Sequence, residues 1–340
     1  MTEQPLSQRV TAPASVAEPR HPDVATWRSP TADDVDAIHA LIVAADTVDH
    51  PTWATPRDEI EDLFDAAHID PARDLRVGFD GDGRAIALGV VMIHPSRDVH
   101  VNTYLMGRVH PDVRGLGIGR DVLRWEHESA LSRLASMDAS VPAGIFVYID
   151  EVDTAGRRLA ERRGFALERW FSSMVRDLAL EAPSIDVPDG IDVVAFERRW
   201  SESTRLARND AFRDHWGSLE TPADRWTKMI EGPHHRDDLS FVAVDGDRVV
   251  ALALGSVNED DWEMQGYSSV YIELIGVVRD HRGMRLAPAV ITALLRAARD
   301  AGLDKAVLDV DTESPTGANS LYGRLGFEAT ERAMALVARV

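Results

Sequence analysis

The sequence predicts an α/β protein of two tandem domains built to one plan, each a mixed twisted sheet flanked by helices. Three observations lead there. At 340 residues the chain exceeds what one hydrophobic core usually serves, so two domains of about 150 residues each are the default. Apolar segments of helical and strand period follow one another in a fixed order, and that order runs twice. Landmarks recur at nearly constant spacing: Asp80 and Asp245 in glycine-bearing turns, Arg114 and Arg282 before glycines, and Phe165 and Phe327 after glycines stand 165, 168 and 162 residues apart. Recurrence of that kind marks an internal duplication.

Residues 1–28, rich in Ala, Pro, Ser and Glu and without an apolar period, read as a disordered tail. The first domain, 29–184, opens with Val35, Ile38, Leu41 and Ile42 at helical spacing behind Thr31 as N-cap. A second helix holds Ile60, Leu63 and Phe64. Leu75 to Phe79 and Ala85 to Met92, joined by Asp80-Gly81-Asp82-Gly83, read as a hairpin. A third strand, Val101 to Val109, enters a glycine loop and then a helix carrying Val122, Leu123 and Trp125 to about Leu134. A strand at Ala143 to Ile149 and a short helix ending at Gly164-Phe165 complete the set. Leu180 to Asp192, with Pro183, Pro188 and Gly190, reads as a linker, which places the boundary near residue 185. The second domain, 185–340, repeats the plan with strands at Phe241 to Val244, Val249 to Leu254, Val270 to Val278 and Ala306 to Val310.

Composition narrows the function classes. No stretch approaches the roughly 18 apolar residues a membrane span needs, and no basic-then-apolar leader precedes a small-residue cleavage site, so the cytoplasm is the expected location. With 0 cysteines there is no thiol nucleophile, disulfide or cysteine-based metal site. A formal charge of −20 disfavours nucleic acid, whose phosphates are bound through lysine and arginine. An acidic surface suits a cationic substrate better, although a solvated face is the plainer explanation.

Chemistry concentrates at Arg114-Gly115-Leu116-Gly117-Ile118-Gly119, between a strand and a helix. Amides at a helix N-terminus lack intrahelical partners and carry partial positive charge, so they bind phosphate or diphosphate, and glycine lets the anion approach. A tight turn without a ligand is the alternative. A dinucleotide fold does not fit, because it prefers Gly-x-Gly-x-x-Gly after the first strand of its unit, whereas helices and a hairpin precede this loop.

Arg-x-x-Gly-x-Gly after a strand, preceded by Val109-His110-Pro111 and followed by a helix closing on Gly-Phe, resembles the GNAT superfamily of N-acetyltransferases. The resemblance spans residues 31–340 in two copies. It implies acetyl-coenzyme A as donor, with the loop amides on its diphosphate and the preceding strand beside its pantetheine arm. It marks Val109, Arg114, Gly115, Gly117, Ile118 and Gly119 in the first copy as cofactor-binding, and Val277, Arg282, Gly283, Met284, Arg285, Leu286 and Ala287 in the second. The second copy departs from the pattern, with Arg285 for the middle glycine and Ala287 for the last. A backbone grip tolerates Arg285 where its φ is negative.

Amine acetylation calls for a base, donors to the oxyanion and an acid for the leaving thiolate. The resemblance implies Glu273 as base and Tyr322, five residues before Phe327, as acid; Glu263 and Tyr271 are alternatives to Glu273, and a core tyrosine is the alternative for Tyr322. The first copy has Leu105 and Ala160 opposite these two at the landmark offsets. The second domain is therefore the expected catalytic half and the first a degenerate one. The run Val310 to Ala318 resembles the strand-to-helix segment of tandem GNAT proteins, with Ser314 where asparagine is commoner, and a helix cap is its plain role. His215 and Trp216 are candidate acceptor contacts, with core and surface roles as alternatives. His234-His235 lacks carboxylates at ligand spacing, so no metal is expected. The expected function is direct acetyl transfer to the primary amine of a small molecule; a non-catalytic acyl-coenzyme A-binding sensor is the rival. Oligomeric state is not legible.

Overall fold

A computed structural model describes residues 4–50, 52–314 and 317–340, so Pro315 and Thr316 of the 310–318 run lie outside the described residues. The chain divides into two compact units, Met1–Glu168 with Met334–Val340, and Arg169–Ala333.

Unit 1 runs α1 (Leu6–Arg9), β1 (Thr26–Arg28), α2 (Val35–Asp49), α3 (Arg57–Asp65), α4 (Pro71–Asp74), β2 (Leu75–Phe79), β3 (Ala85–Ile93), β4 (Val101–Leu105), β5 (Arg108–Val109), α5 (Ile118–Leu134), β6 (Ala143–Asp150) and α6 (Thr154–Arg162). Its strands lie in the order β1-β2-β3-β4-β6. All pair antiparallel except β4 with β6, which run parallel. The helix-period residues Ile38, Leu41 and Ile42 of α2 bury against Leu75, Val77 and Leu88 of the sheet. Ile118 and Val122 of α5 pack with Ile86 and Ala87.

In unit 2, β7 (Ala166–Asp177) is followed by β8 (Ile191–Ala195), α7 (Ser201–Ala211), α8 (Ala223–Glu231), β9 (His235–Asp245), β10 (Arg248–Ser256), α9 (Asp260–Gln265), β11 (Ser269–Val277), α10 (Leu286–Asp300), β12 (Lys305–Asp311), α11 (Ala318–Arg324) and β13 (Glu328–Arg339). The order is β8-β9-β10-β11-β12-β7, with β11 and β12 the parallel pair. Val290 and Leu294 of α10 join Val250 and Leu252 of β10 in the core.

Two features differ from expectation. Residues 4–28 hold α1 and β1 rather than a disordered tail: Leu6 is fully buried, the Arg9 guanidinium bonds the carbonyls of Val141 and Val340, and β1 pairs with β2 from Thr26↔Phe79 to Arg28↔Val77. Leu6 and Val10 stand one helical turn apart, but two residues are too few to establish a period, Val24 lies far from them, and their partners are distant in sequence.

The units also meet in sequence at Glu168/Arg169 and Ala333/Met334 rather than near 185. From Phe171 to Asp177, β7 is laddered to β12, so the proline-bearing segment after it belongs to unit 2. There the Arg176 guanidinium bonds the carbonyls of Leu180, Glu181 and Leu325. The chain's last residues complete unit 1 instead, with the Val340 amide on the carbonyl of Ala143. Strand exchange of this kind leaves no local signal, since either segment suits an edge of either sheet. Among the described residues, no helix is long and apolar enough to cross a membrane.

Candidate active site

In unit 2, β11 and β12 pair only from Ser269↔Lys305 to Tyr271↔Val307 and then separate. Beyond that point is a cavity of 590 Å³, walled by Ile275, Gly276 and Val277 of β11, by Arg282, Gly283 and Arg285 of the loop with the first turn that follows, and by Ala318, Leu321 and Tyr322 of α11. Gly283 (φ 83°) and Arg285 (φ 61°) turn the loop so that its amides converge on α10. Among the described residues, no hydrogen bond uses the amides of 283–287 as donors. Five such amides at the start of a 15-residue helix make a place where a phosphate or diphosphate can be bound.

Unit 1 builds the same cradle. β4 and β6 pair from Val101↔Ala143 to Tyr104↔Phe146 and diverge beside a cavity of 540 Å³, where Gly115 (φ 80°) and Gly117 (φ 109°) take the two left-handed positions. Val109, Arg114, Ile118 and Gly119 line it.

Three features of these loops bear on the expected cofactor residues. Arg285 is not at negative φ; it holds the left-handed conformation that glycine takes in unit 1, at a cost on the order of 1 kcal/mol for an L-residue. The tight turn demands that conformation whatever side chain is present. Met284 lies outside the cavity lining and is exposed, because the residue between two left-handed positions points away from the amides. Arg114 and Arg282 line the two cavities and also brace the loops: Arg114 pairs with both oxygens of Asp49 at 2.6 and 2.9 Å, and Arg282 bonds the Ala211 carbonyl at 2.9 Å.

Tyr322 is 7% exposed and forms part of the cavity wall. The amide of Phe327 bonds its carbonyl at 3.0 Å, closing the helix as the Phe165 amide does on Ala160 in unit 1 at 3.1 Å, so Ala160 is its true counterpart. Burial pushes the phenol up to about 12, so it is protonated at neutral pH. Its hydroxyl has no hydrogen-bond partner among the described residues, and Phe327 meets its ring edge-on at 6.0 Å.

Glu273 stands where β11 leaves β12, beyond the residues lining that cavity. The β10–β11 ladder reads Gly255↔Ile272 and then Leu254↔Leu274, which makes Glu273 an extra residue in a β-bulge. In unit 1 the β3 ladder keeps one register throughout, from Ile93↔Thr103 to Ala87↔Val109. Leu105 is therefore opposite Ile272, and Glu273 has no counterpart. Burial raises its pKa above the usual carboxylate range, opposed by a hydrogen bond from Ser256 and the charge of His234. One oxygen, Oε2, is buried without a hydrogen-bond partner.

The two expected acceptor contacts separate. His215 lines that cavity, its ring tilted against Phe212 at 4.6 Å, and burial with Arg282 nearby lowers its pKa so that it is neutral. Trp216 lies outside that lining, with the Arg169 guanidinium 5.3 Å from its ring and Phe171 at 6.3 Å. Arg169 also bonds Glu313 at 3.1 Å.

Tyr271, one of the sequence alternatives to Glu273, is joined near it by Asp309 and Ser173, which the sequence did not single out. The Tyr271 hydroxyl donates to Asp309 on β12 at 3.0 Å, and Ser173 of β7 donates to the same carboxylate. Burial and the neighbouring carboxylates hold the Tyr271 phenol well above its ordinary value. Alternation along each strand places Tyr271 and Asp309, but only sheet order brings β7, β11 and β12 together. His234 and His235 belong to no metal-ligating group among the described residues.

Residues 201–327 match the family described as "Acetyltransferase (GNAT) family". The mycothiol acetyltransferase of Salinispora arenicola is 30% identical over 68% of this chain and 72% of its own length. Among solved structures, a GCN5-related N-acetyltransferase from Sphaerobacter thermophilus superposes with a TM-score of 0.70 at 25% identity, covering 92% of this chain and 95% of that one. A tandem GNAT protein from the clavulanic acid biosynthesis pathway shares the fold, with a TM-score of 0.62 at 16% identity over 92% of this chain and 98% of that one. The chain belongs to the GNAT family of acetyltransferases, and its reaction is transfer of an acetyl group from acetyl-coenzyme A to an amine.

Proposed function

We propose that unit 2 is the catalytic half and that its acceptor is the primary amine of a small molecule, with a mycothiol-related aminosugar conjugate the first to test. One observation carries this reading: the Tyr322 hydroxyl, neutral and without a described partner, stands in the wall of a cleft that also presents a diphosphate cradle. Ala160 leaves the matching place in unit 1 without an acid.

Bound acetyl-coenzyme A supplies the thioester whose acetyl group moves. The amides of 283–287 hold its diphosphate, and the edge of β11 beyond Tyr271, left without a strand partner on the β12 side, offers amides to the pantetheine arm and the oxyanion. Glu273 takes the proton of the incoming ammonium, and burial makes it a stronger base than an ordinary carboxylate. Tyr322 protonates the departing sulfur. Arg169, Phe171 and Trp216 form an aromatic and cationic wall beside the acceptor. Transfer is direct, since the chain has 0 cysteines to carry the acetyl group and the base and acid suffice.

The test is coenzyme A release with a panel of aminosugar conjugates, polyamines and aminoglycosides. Turnover on an aminosugar conjugate that collapses in Tyr322→Phe is the expected result. Full activity in that variant overturns the acid assignment.

A further inference from the structure

We infer that His21 is a positioning residue for the diphosphate cradle of unit 1, holding the Leu116–Gly117 peptide so that the Gly117 amide faces the cavity; this rests on the reading of residues 115–119 as that cradle.

The stretch ahead of β1 is anchored to α5 on both sides of His21. The Arg124 guanidinium of α5 bonds the carbonyls of Ala17 at 3.3 Å and Glu18 at 3.2 Å. The Glu18 carboxylate pairs with Arg76 at 2.7 and 2.9 Å, and Arg76 lies 5.1 Å from the ring of Trp125 on α5. Val24 is buried in one apolar cluster with Ile118 and Val122, from the first two turns of the same helix. Between these anchors the His21 side chain, 7% exposed, reaches the loop, with Nε2 3.0 Å from the Leu116 carbonyl oxygen.

The other ring nitrogen fixes the tautomer. Nδ1 accepts from the Asp23 amide at 3.3 Å, so the proton is on Nε2, which donates to Leu116. In a planar trans peptide a carbonyl and the N–H that follows it point in opposite directions. Tying the Leu116 carbonyl to His21 therefore turns the Gly117 amide the other way, toward the cavity that Gly117 lines and that neither His21 nor Leu116 reaches. Among the described residues, no hydrogen bond uses the amides of 115–119 as donors, which leaves them open to an anion. Gly115 and Gly117, at φ 80° and 109°, have no Cβ to resist rotation of the peptide between them. A rotated peptide would set a carbonyl oxygen against the phosphate, so the bond from outside the loop keeps the cradle in its anion-binding form.

Unit 2 has no such strap. The stretch ahead of β8 meets α10 at Arg296, which bonds the carbonyls of Ala182 and Pro183 at 3.4 and 2.8 Å, well past the first turn of that helix.

The experiment follows hydrogen–deuterium exchange in the full chain by mass spectrometry, with coenzyme A as the probe. Peptides covering 114–121 and 282–289 report the two cradles separately in one sample. In the wild type, coenzyme A should protect 114–121. The concentration giving half protection should rise about tenfold in His21→Ala and return to within about twofold of wild type in His21→Gln, whose side-chain amide can donate to the same carbonyl. The midpoint for 282–289 should stay where it is. Melting temperatures of both variants separate positioning from bracing: a lower Tm in His21→Ala with an unchanged midpoint at 114–121 overturns the inference, as does an equal loss in His21→Ala and His21→Gln. Absence of protection at 114–121 in the wild type at any coenzyme A concentration overturns the reading of the cradle, and the inference with it.

Discussion

The two clefts start from one backbone plan and are specialised by opposite devices. In unit 1 a helix side chain reaches the β3–β4 strands: Glu126 of α5 is 1% exposed and accepts from the Val90 amide at 2.9 Å, the Met106 amide bonds the Val90 carbonyl at 3.1 Å, and the register is unbroken. In unit 2 the β10–β11 ladder carries one extra residue, Glu273, while α10 contributes a fully buried Leu294. Only the second leaves a carboxylate oxygen unsatisfied, because a bulged residue keeps its side chain free of the ladder whereas Glu126 accepts from an amide.

The clefts also differ in what faces the splay. Two residues past the last parallel pair, unit 1 carries Tyr148, stacked at 6.3 Å on Tyr104, where unit 2 carries Asp309 bonded to Tyr271. The phosphate loops differ in the reverse sense. Unit 1 spends no strain at Gly117, while unit 2 forces Arg285 into the same conformation.

The largest expected effect tests the acid. Tyr322→Phe should lower kcat by about 100-fold or more while leaving acetyl-coenzyme A affinity intact, read by stopped-assay rates and calorimetry. An equal loss in Ala160→Phe would break the assignment of catalysis to unit 2.

Deleting Glu273 gives the β10–β11 ladder the single register that unit 1 keeps. The protein should fold, with circular dichroism like wild type, and lose on the order of 100-fold in kcat/KM. In the intact enzyme kcat/KM should fall on the acid side through a pKa above the ordinary carboxylate value, because the base must be ionised and burial raises it. A profile flat from pH 5 to 8 would remove Glu273 from the mechanism.

Exchanging the loop residues measures their strain. Gly117→Arg, at φ 109° and with Arg120 Nη2 only 3.2 Å from the new Cβ, should cost unit 1 about 1–3 kcal/mol by urea unfolding. Arg285→Gly should change unit 2 by less than about 1 kcal/mol, since relief of strain offsets the added freedom of the unfolded chain. Equal effects at the two sites would mean the loops are not equivalent.

The smallest effect concerns Glu126. Burial lifts its pKa to about 8 even though amides favour its charge, so the folded value lies above the unfolded one. Stability is then fully present below about pH 4.5 and declines as pH rises toward 8. Glu126→Gln should flatten that decline by a few degrees of Tm at pH 8, with little change at pH 5.

Much of the fold was legible because it is written locally. Glycine turns, strand alternation and the helical period of Val35, Ile38 and Leu41 identified the elements and their repetition. The cradle was legible too, since a glycine loop between strand and helix has few conformations open to it. Glu273 and Tyr322 were singled out by position, but the counterpart of Glu273 was misread: a landmark offset cannot register one inserted residue in a strand, whereas the ladder shows it directly. His21 gave no signal, as a histidine in a stretch without an apolar period is ordinary until the loop it reaches is known.

By itself the sequence determined that this chain is a duplication, that each half turns a strand into a helix through open amides, and that only the second half carries the phenol. Those properties depend on neighbours within a few residues. Tertiary structure alone decided that the final strand completes the first unit, that Arg285 bears a glycine conformation, and that Glu273 stands in a bulge. Each of these depends on which strands pair and in what register, and pairing is settled by the burial of whole sheet faces rather than by any short run of residues.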